Sequence, residues 1–215
     1  MGTSLLIAGA TGVVGAAAVQ HALADARVGQ LITWGRRPVP HAPARIVHWG
    51  GADLIAALDT AARVDSVVCC LGTTIKAVKG DKQAFIHVDH DLVVALGAWA
   101  SGKGVRLCVV SALGADAKSL IFYNRVKGRM EDALQKMDFA ALHIFRPSIL
   151  DGPRTEQRTG ERIALVTMRA IAPLLPAPSR PMKTDVLGKA LVNAALTGAP
   201  GTHVHTTKAI LDLAR

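Results

Sequence analysis

Short apolar runs recur along the chain, separated by glycine-rich or polar stretches and by longer segments with helical spacing. The runs at 5–8, 30–35, 44–49, 65–71, 105–110 and 140–145 each read as a strand. The run at 65–71 is nearly all apolar, as expected of a parallel strand covered on both faces. Between these runs the spacing becomes helical. Residues 13–24 continue apolar without a proline, and 54–61 form a short helix that Asp53 could cap. Phe85, Val88, Leu92, Leu96 and Trp99 make one apolar stripe on a long helix over 82–101, closed by Gly102 and Gly104. The stripe faces the sheet in the simplest arrangement, and a homodimer through this helix is the alternative use. Strands alternating with helices predict an α/β fold: a Rossmann-like, doubly wound, mainly parallel sheet in one domain spanning 1–215.

The C-terminal part is less regular. A basic helix is expected over 161–171, followed by a stretch broken by Pro173, Pro176, Pro178 and Pro181. A helix over 184–196, capped by Thr184 and ending before Gly198, precedes a last strand over 202–206 that sets His203 and His205 on one face. Residues 152–215 are expected to supply a small lobe on the substrate side. Arg154, Arg158, Arg162, Arg169 and Arg180 there form a solvated face or favour an anionic substrate.

The first strand runs straight into Gly9-Ala10-Thr11-Gly12-Val13-Val14-Gly15. Strand, glycine turn and helix form the first half of a dinucleotide-binding βαβ unit. Gly9 allows the tight turn, Gly12 lets the backbone approach a pyrophosphate, and Gly15 brings helix and strand together. The free N–H groups at the helix start would face the phosphates. The second strand ends in Arg36 and Arg37, where an NAD-type site carries an acidic residue for the ribose 2′-OH. Guanidinium groups suit a 2′-phosphate instead, so the expected cofactor is NADP(H). Asp53 and Leu54 are candidates for the adenine end, and Leu71, Gly72 and Thr73 form a small-residue exit from the fourth strand along which ribose or phosphates could lie.

Composition narrows the class. Half of the chain is apolar and 19% is charged, which is the balance of a globular protein. The formal charge is +9, but Lys and Arg are scattered and there is a single Tyr for base stacking. A field favouring an anionic cofactor or substrate fits better than nucleic-acid binding. With no secretory signal pattern and no run long enough for a membrane span, a cytoplasmic protein is expected. Cys69, Cys70 and Cys108 lie in strand-like runs and read as buried thiols. No metal site is expected, since His203 and His205 lack a third ligand.

Candidate chemistry lies past the fifth strand. That strand delivers Ser111 at its C-terminal end, where ligands bind in open α/β sheets. The next helix carries Tyr123 and Lys127, four apart and therefore on one face. A neighbouring ammonium lowers a tyrosine pKa and makes the phenol a usable proton donor, while Ser111 could orient a carbonyl oxygen beside it.

Together the G-A-T-G-V-V-G turn, Ser111 and Tyr123-Asn124-Arg125-Val126-Lys127 resemble the short-chain dehydrogenase/reductase superfamily. The segments C-C-L-G-T-T (69–74), V-V-S-A-L-G-A-D (109–116) and F-R-P-S-I-L-D-G-P-R (145–154) resemble its atypical branch around the Tat-interacting-protein oxidoreductases, which is NmrA-like. The resemblance implies NADP(H) binding, Ser111, Tyr123 and Lys127 as a catalytic triad, Lys127 also at the nicotinamide ribose, and Pro147 to Ile149 along the nicotinamide. The chain departs from the main branch in carrying Leu71-Gly72-Thr73 in place of an N-A-G-like motif, and no asparagine is assigned to join the triad. The expected function is reduction of a carbonyl-type small molecule of unknown identity. A nucleotide-sensing regulator and an epimerase or dehydratase are the alternatives.

Overall fold

The computed structural model describes residues 2–51, 53–59, 64–151 and 181–215. Its centre is a seven-stranded sheet in which every pairing is parallel. The strands are β1 (Thr3–Ala8), β2 (Val28–Trp34), β3 (Ile46–Trp49), β4 (Ser66–Cys69), β5 (Arg106–Val110), β6 (Ala141–Phe145) and β9 (Gly201–His205). Their order is β3-β2-β1-β4-β5-β6-β9, so strand order reverses between β1 and β4. A crevice outside the carboxyl ends of those two strands is where such a sheet binds ligands.

The apolar runs are strands because both of their faces are buried. Along β1, Leu5 and Ile7 join one core cluster and Leu6 and Ala8 the other, as the two-residue side-chain period requires. The first cluster lies under α1 (Val13–Ala24), α6 (Thr184–Thr197) and α7 (Thr207–Leu213). The second lies under α4 (Leu92–Ala100) and α5 (Phe122–Leu134). Helices α1 and α6 approach closely because Gly188 has no side chain: a Cβ there would sit 2.8 Å from Ala17 Cβ and from the Ala18 nitrogen. The cysteines read as buried thiols are free, with Cys69 and Cys108 fully buried and Cys70 half-buried.

Several expectations are revised. The long helix over 82–101 is α3 (Lys82–Ile86), a π-helical turn (His87–Asp91) and α4, with Asp81 capping its start through Gln83 and Ala84. The stripe holds for Phe85, Leu92 and Leu96, which are buried, while Val88 and Trp99 are half-buried. Helix α2 covers only Ala56–Asp59. Thr184 is the first residue of α6 and its cap is Lys183, because the Thr184 side chain is buried instead of turned back on the helix start. Helix α7 was not expected, being short and marked by no glycine or proline boundary.

The C-terminal stretch divides. A two-stranded parallel pair, β7 (Leu150–Asp151) and β8 (Met182–Lys183), stands beside the main sheet. In contrast α6 covers the sheet and β9 extends it, so these elements are built into the main body. The basic helix at 161–171, the prolines from Pro173 to Pro178 and the five arginines from Arg154 to Arg180 lie outside the described residues.

Candidate active site

The glycine turn is shaped by contacts that side chains would block. Gly9 has φ +75°, and a Cβ there would meet the Cys70 carbonyl oxygen at 2.8 Å. A Cβ on Gly15 would sit 2.1 Å from the Gly9 carbonyl oxygen. The spacing therefore presses the start of α1 onto the turn and the turn onto the end of β4. Gly12 is the N-cap of α1 with no side-chain cap, and no acidic residue occupies the first turn. The leading amides of α1 are left to a ligand with negative charge.

Those amides open into a cleft of about 1120 Å³. Thr11, Gly12, Val13 and Val14 line it on the β1 side, and Leu71, Gly72 and Thr73 line it past β4. Ser111, Tyr123, Lys127, Pro147 and Ile149 complete the wall. Gly9 and Gly15 stand behind the lining and shape it.

The remaining candidates lie elsewhere. Arg36 and Arg37 are exposed just past β2, outside this cleft. The Asp53 carboxylate accepts from the Ile55 and Ala56 amides at 2.9 and 3.1 Å, so it caps α2. Leu54 is buried in the core, with its carbonyl accepting from Trp34 Nε1 at 2.8 Å. Asp53 therefore caps α2 and Leu54 packs in the core, both outside the lining of this cleft.

Helix α5 sets Tyr123 and Lys127 one turn apart, facing the cleft. The Tyr123 ring packs edge-on against Phe85, with centroids 5.8 Å apart. Lys127 is 3% exposed, and its Nζ lies 2.9 Å from Oδ1 of Asp89, itself 1% exposed. At that distance the two groups form a buried ion pair. The other oxygen, Oδ2, accepts from the Thr73 amide at 2.7 Å. Gly72 leaves the pair open toward the cleft: a Cβ there would stand 3.4 Å from Asp89 Oδ1 and 3.9 Å from Lys127 Nζ.

This arrangement alters the expected acid–base character of Tyr123. Although the residue is 38% exposed, desolvation of its inner side pushes the phenol above its ordinary value; Lys127 pulls it down, and Asp89 pushes it up again. The net direction is upward, opposite to what the lysine alone would give. Burial would lower Lys127, but Asp89 and Tyr123 outweigh it and hold the ammonium above its ordinary value.

Ser111 is engaged as well. Its amide donates to the Phe145 carbonyl at 2.7 Å, and its hydroxyl donates to Glu131 Oε1. Glu131, 1% exposed, is held by Arg146, whose Nε and Nη2 donate at 3.0 and 2.5 Å to its two oxygens. A hydroxyl has one proton to donate, so in this arrangement Ser111 offers the cleft only lone pairs. Pointing that proton at a carbonyl oxygen requires the hydroxyl to rotate away from Glu131.

Sequence reasoning missed Asp89, Glu131 and Arg146, and two of them had a signal. Asp89 lies four residues past Phe85 and three before Leu92, so it is a carboxylate on the apolar stripe. Glu131 lies four past Lys127, continuing the face that Tyr123 and Lys127 begin. Among the described residues no group of three or more His, Cys, Asp or Glu side chains is placed to hold a metal ion.

No family model matches the sequence. Among curated proteins, the chain is 34% identical over 157 residues to "Protein FMP52, mitochondrial" of Eremothecium gossypii, spanning 72% of this chain and 70% of that one. It is 37% identical over 97 residues to rat "Protein HTATIP2", spanning 45% of this chain and 39% of that one. Among solved structures it resembles MoeE5 in complex with UDP-glucose and NAD, with TM-score 0.69, 15% identity and coverage of 98% of this chain and 80% of that one. It also resembles human epimerase family protein SDR39U1 with NADPH, with TM-score 0.62, 13% identity and coverage of 94% and 74%. The expectation of a cytoplasmic protein is overturned, since curated relatives are named as mitochondrial. A missing secretory pattern argues only against export, and mitochondrial targeting is read from other features. No helix among the described residues is long and apolar enough to cross a membrane. With its parallel sheet, its glycine turn and these relatives, the chain belongs to the atypical branch of the short-chain dehydrogenase/reductase superfamily.

Proposed function

We propose that this protein is an NADP(H)-dependent oxidoreductase that reduces the carbonyl group of a small molecule. The observation that carries the reading is the convergence of the α1 amides with Ser111, Tyr123 and Lys127 on one cleft. The glycine cradle, in which a Cβ at Gly9 or Gly15 would collide with backbone, fits a dinucleotide laid closely over it. Thr11, Gly12, Val13 and Val14 would hold the pyrophosphate, while Leu71, Gly72, Thr73, Pro147 and Ile149 would flank the nicotinamide end. Arg36 and Arg37, exposed where no carboxylate stands, would take the 2′-phosphate.

Reduced nicotinamide supplies a hydride when bound. Tyr123 then gives its proton to the substrate oxygen as the carbonyl π bond breaks, and the phenolate regains a proton from solvent. Lys127, paired with Asp89, would hold the ribose. Ser111 steadies the oxygen once its hydroxyl turns from Glu131.

A paired fluorescence titration with NADPH and NADH tests the cofactor, with Arg36→Ala and Arg37→Ala as controls. NADPH should bind more tightly, and the arginine variants should lose that preference; equal affinities would refute it. An aldehyde, ketone and quinone panel tests turnover. Tight NADPH binding with no consumption across the panel would favour a nucleotide-sensing regulator.

A further inference from the structure

We propose that Asp89 is a positioning residue that cancels the charge of Lys127 at Tyr123, so that the phenol stays protonated and the site works as a proton donor and not as a base. The inference rests on the reading of Tyr123 as the acid of the reaction. It concerns the direction in which that acid is poised, and a residue outside the expected triad sets that direction.

The geometry comes first. The π-helical turn His87–Asp91 packs against α5, and Asp89 is its buried member. One carboxylate oxygen meets Lys127 Nζ at 2.9 Å and the other is fixed by the Thr73 amide at 2.7 Å, so the side chain is held from two elements. A buried ammonium standing alone would favour a phenolate one helical turn away; a buried ammonium beside its own carboxylate has nearly no net charge to offer. The other ionisable groups around the cleft do not reverse this. Cys69 of β4 is a buried thiol pushed up to about 11, and Glu131 is matched by Arg146. Lys76 and Lys79 line the outer loop of the cleft as exposed groups. The partial desolvation of Tyr123, which is 38% exposed, acts in the same sense as Asp89, against the phenolate.

A consequence for turnover follows. Reduction consumes the Tyr123 proton and is served across the neutral range. Oxidation of an alcohol needs the phenolate to take the hydroxyl proton while hydride leaves the carbon for the oxidised nicotinamide, and this direction gains only at alkaline pH.

The test needs neither nucleotide nor substrate, because Tyr123 is the only tyrosine in the chain and its ionisation is read directly from tyrosinate absorbance. In Asp89→Asn the alkaline midpoint should fall by about one pH unit, a roughly tenfold rise in tyrosinate at a given pH. An unchanged or higher midpoint would overturn the proposal. That variant leaves Lys127 buried without its counter-ion and loses stability. The charge-free pair Asp89→Asn with Lys127→Met carries the test if the single variant does not fold. Its midpoint should match the wild type, and a clear rise would show that the lysine's charge had dominated all along. Failure of the carbonyl panel would leave these titrations unaffected, so the two readings fail separately.

Discussion

Acid should destabilise this protein through one buried ring. His143 of β6 is 2% exposed and stacks against both His203 and His205 of β9, with centroids 5.0 and 5.1 Å away. Its Nδ1 lies 2.8 Å from His205 Nε2. Burial, then His205 and His203, push it down to about 4 from an ordinary 6.5. In the unfolded chain the imidazole takes a proton below its ordinary value, whereas in the folded protein it waits until about 4. The unfolded state therefore binds more protons between those limits, and stability is lost as pH falls through this window, with the loss complete below it. The full loss is about 3 kcal/mol at ~1.4 kcal/mol per unit, and about 2 kcal/mol is gone by pH ~5. Urea unfolding at pH ~7.5 and ~5 measures it in the wild type and in His143→Gln, which cannot titrate. The wild type should lose about 2 kcal/mol more than the variant between the two conditions. Equal losses would refute the assignment of the window to this ring.

Other consequences can be checked in the same preparation. Gly15→Ala should cost about 1–3 kcal/mol, because its Cβ would stand 2.1 Å from a backbone oxygen; a thermal melt measures it, and nucleotide affinity should fall with it as the turn is displaced. Arg146→Met should cost about 2–3 kcal/mol in urea unfolding by leaving the buried Glu131 carboxylate without its cation, with the Ser111 hydroxyl still donating to it. Cys69 and Cys108 should resist a colorimetric thiol reagent at neutral pH in the folded protein and react on unfolding, since they are fully buried and burial pushes both upward. Tyr123→Phe should abolish turnover in any assay that detects it while leaving NADPH affinity within a few fold.

The fold was largely legible because its strands are covered on both sides. Leu5, Leu6, Ile7 and Ala8 are all buried, and a run of that kind has few places to go except the middle of a parallel sheet. The glycine turn was equally plain, since backbone contacts at Gly9 and Gly15 leave no room for other residues. Spacing also brought Tyr123 and Lys127 to one cleft with Ser111. The electrostatics of that cleft were hidden. An i, i+4 pair on one helix is visible in a sequence, but its effect depends on charges from other elements, and Asp89 arrives from 38 positions earlier. Likewise Arg146 read as the end of a strand, although its partner Glu131 lies on α5 behind Ser111. Asp53 was legible too: the cap expected for the next helix is in place, accepting from the Ile55 and Ala56 amides.

Gly72 stands beside the buried ion pair on the cleft side, a backbone without a side chain. Whatever fills that cleft replaces water above Asp89 and Lys127, and so resets the dielectric in which three titrating groups are balanced. Occupancy and proton uptake are then two readings of one free energy. A ligand that shifts the Tyr123 equilibrium by some factor has its own affinity shifted by the same factor when pH changes that equilibrium. For this protein the pH dependence of ligand binding, compared with the tyrosinate titration, would report the protons exchanged on binding before any product is formed.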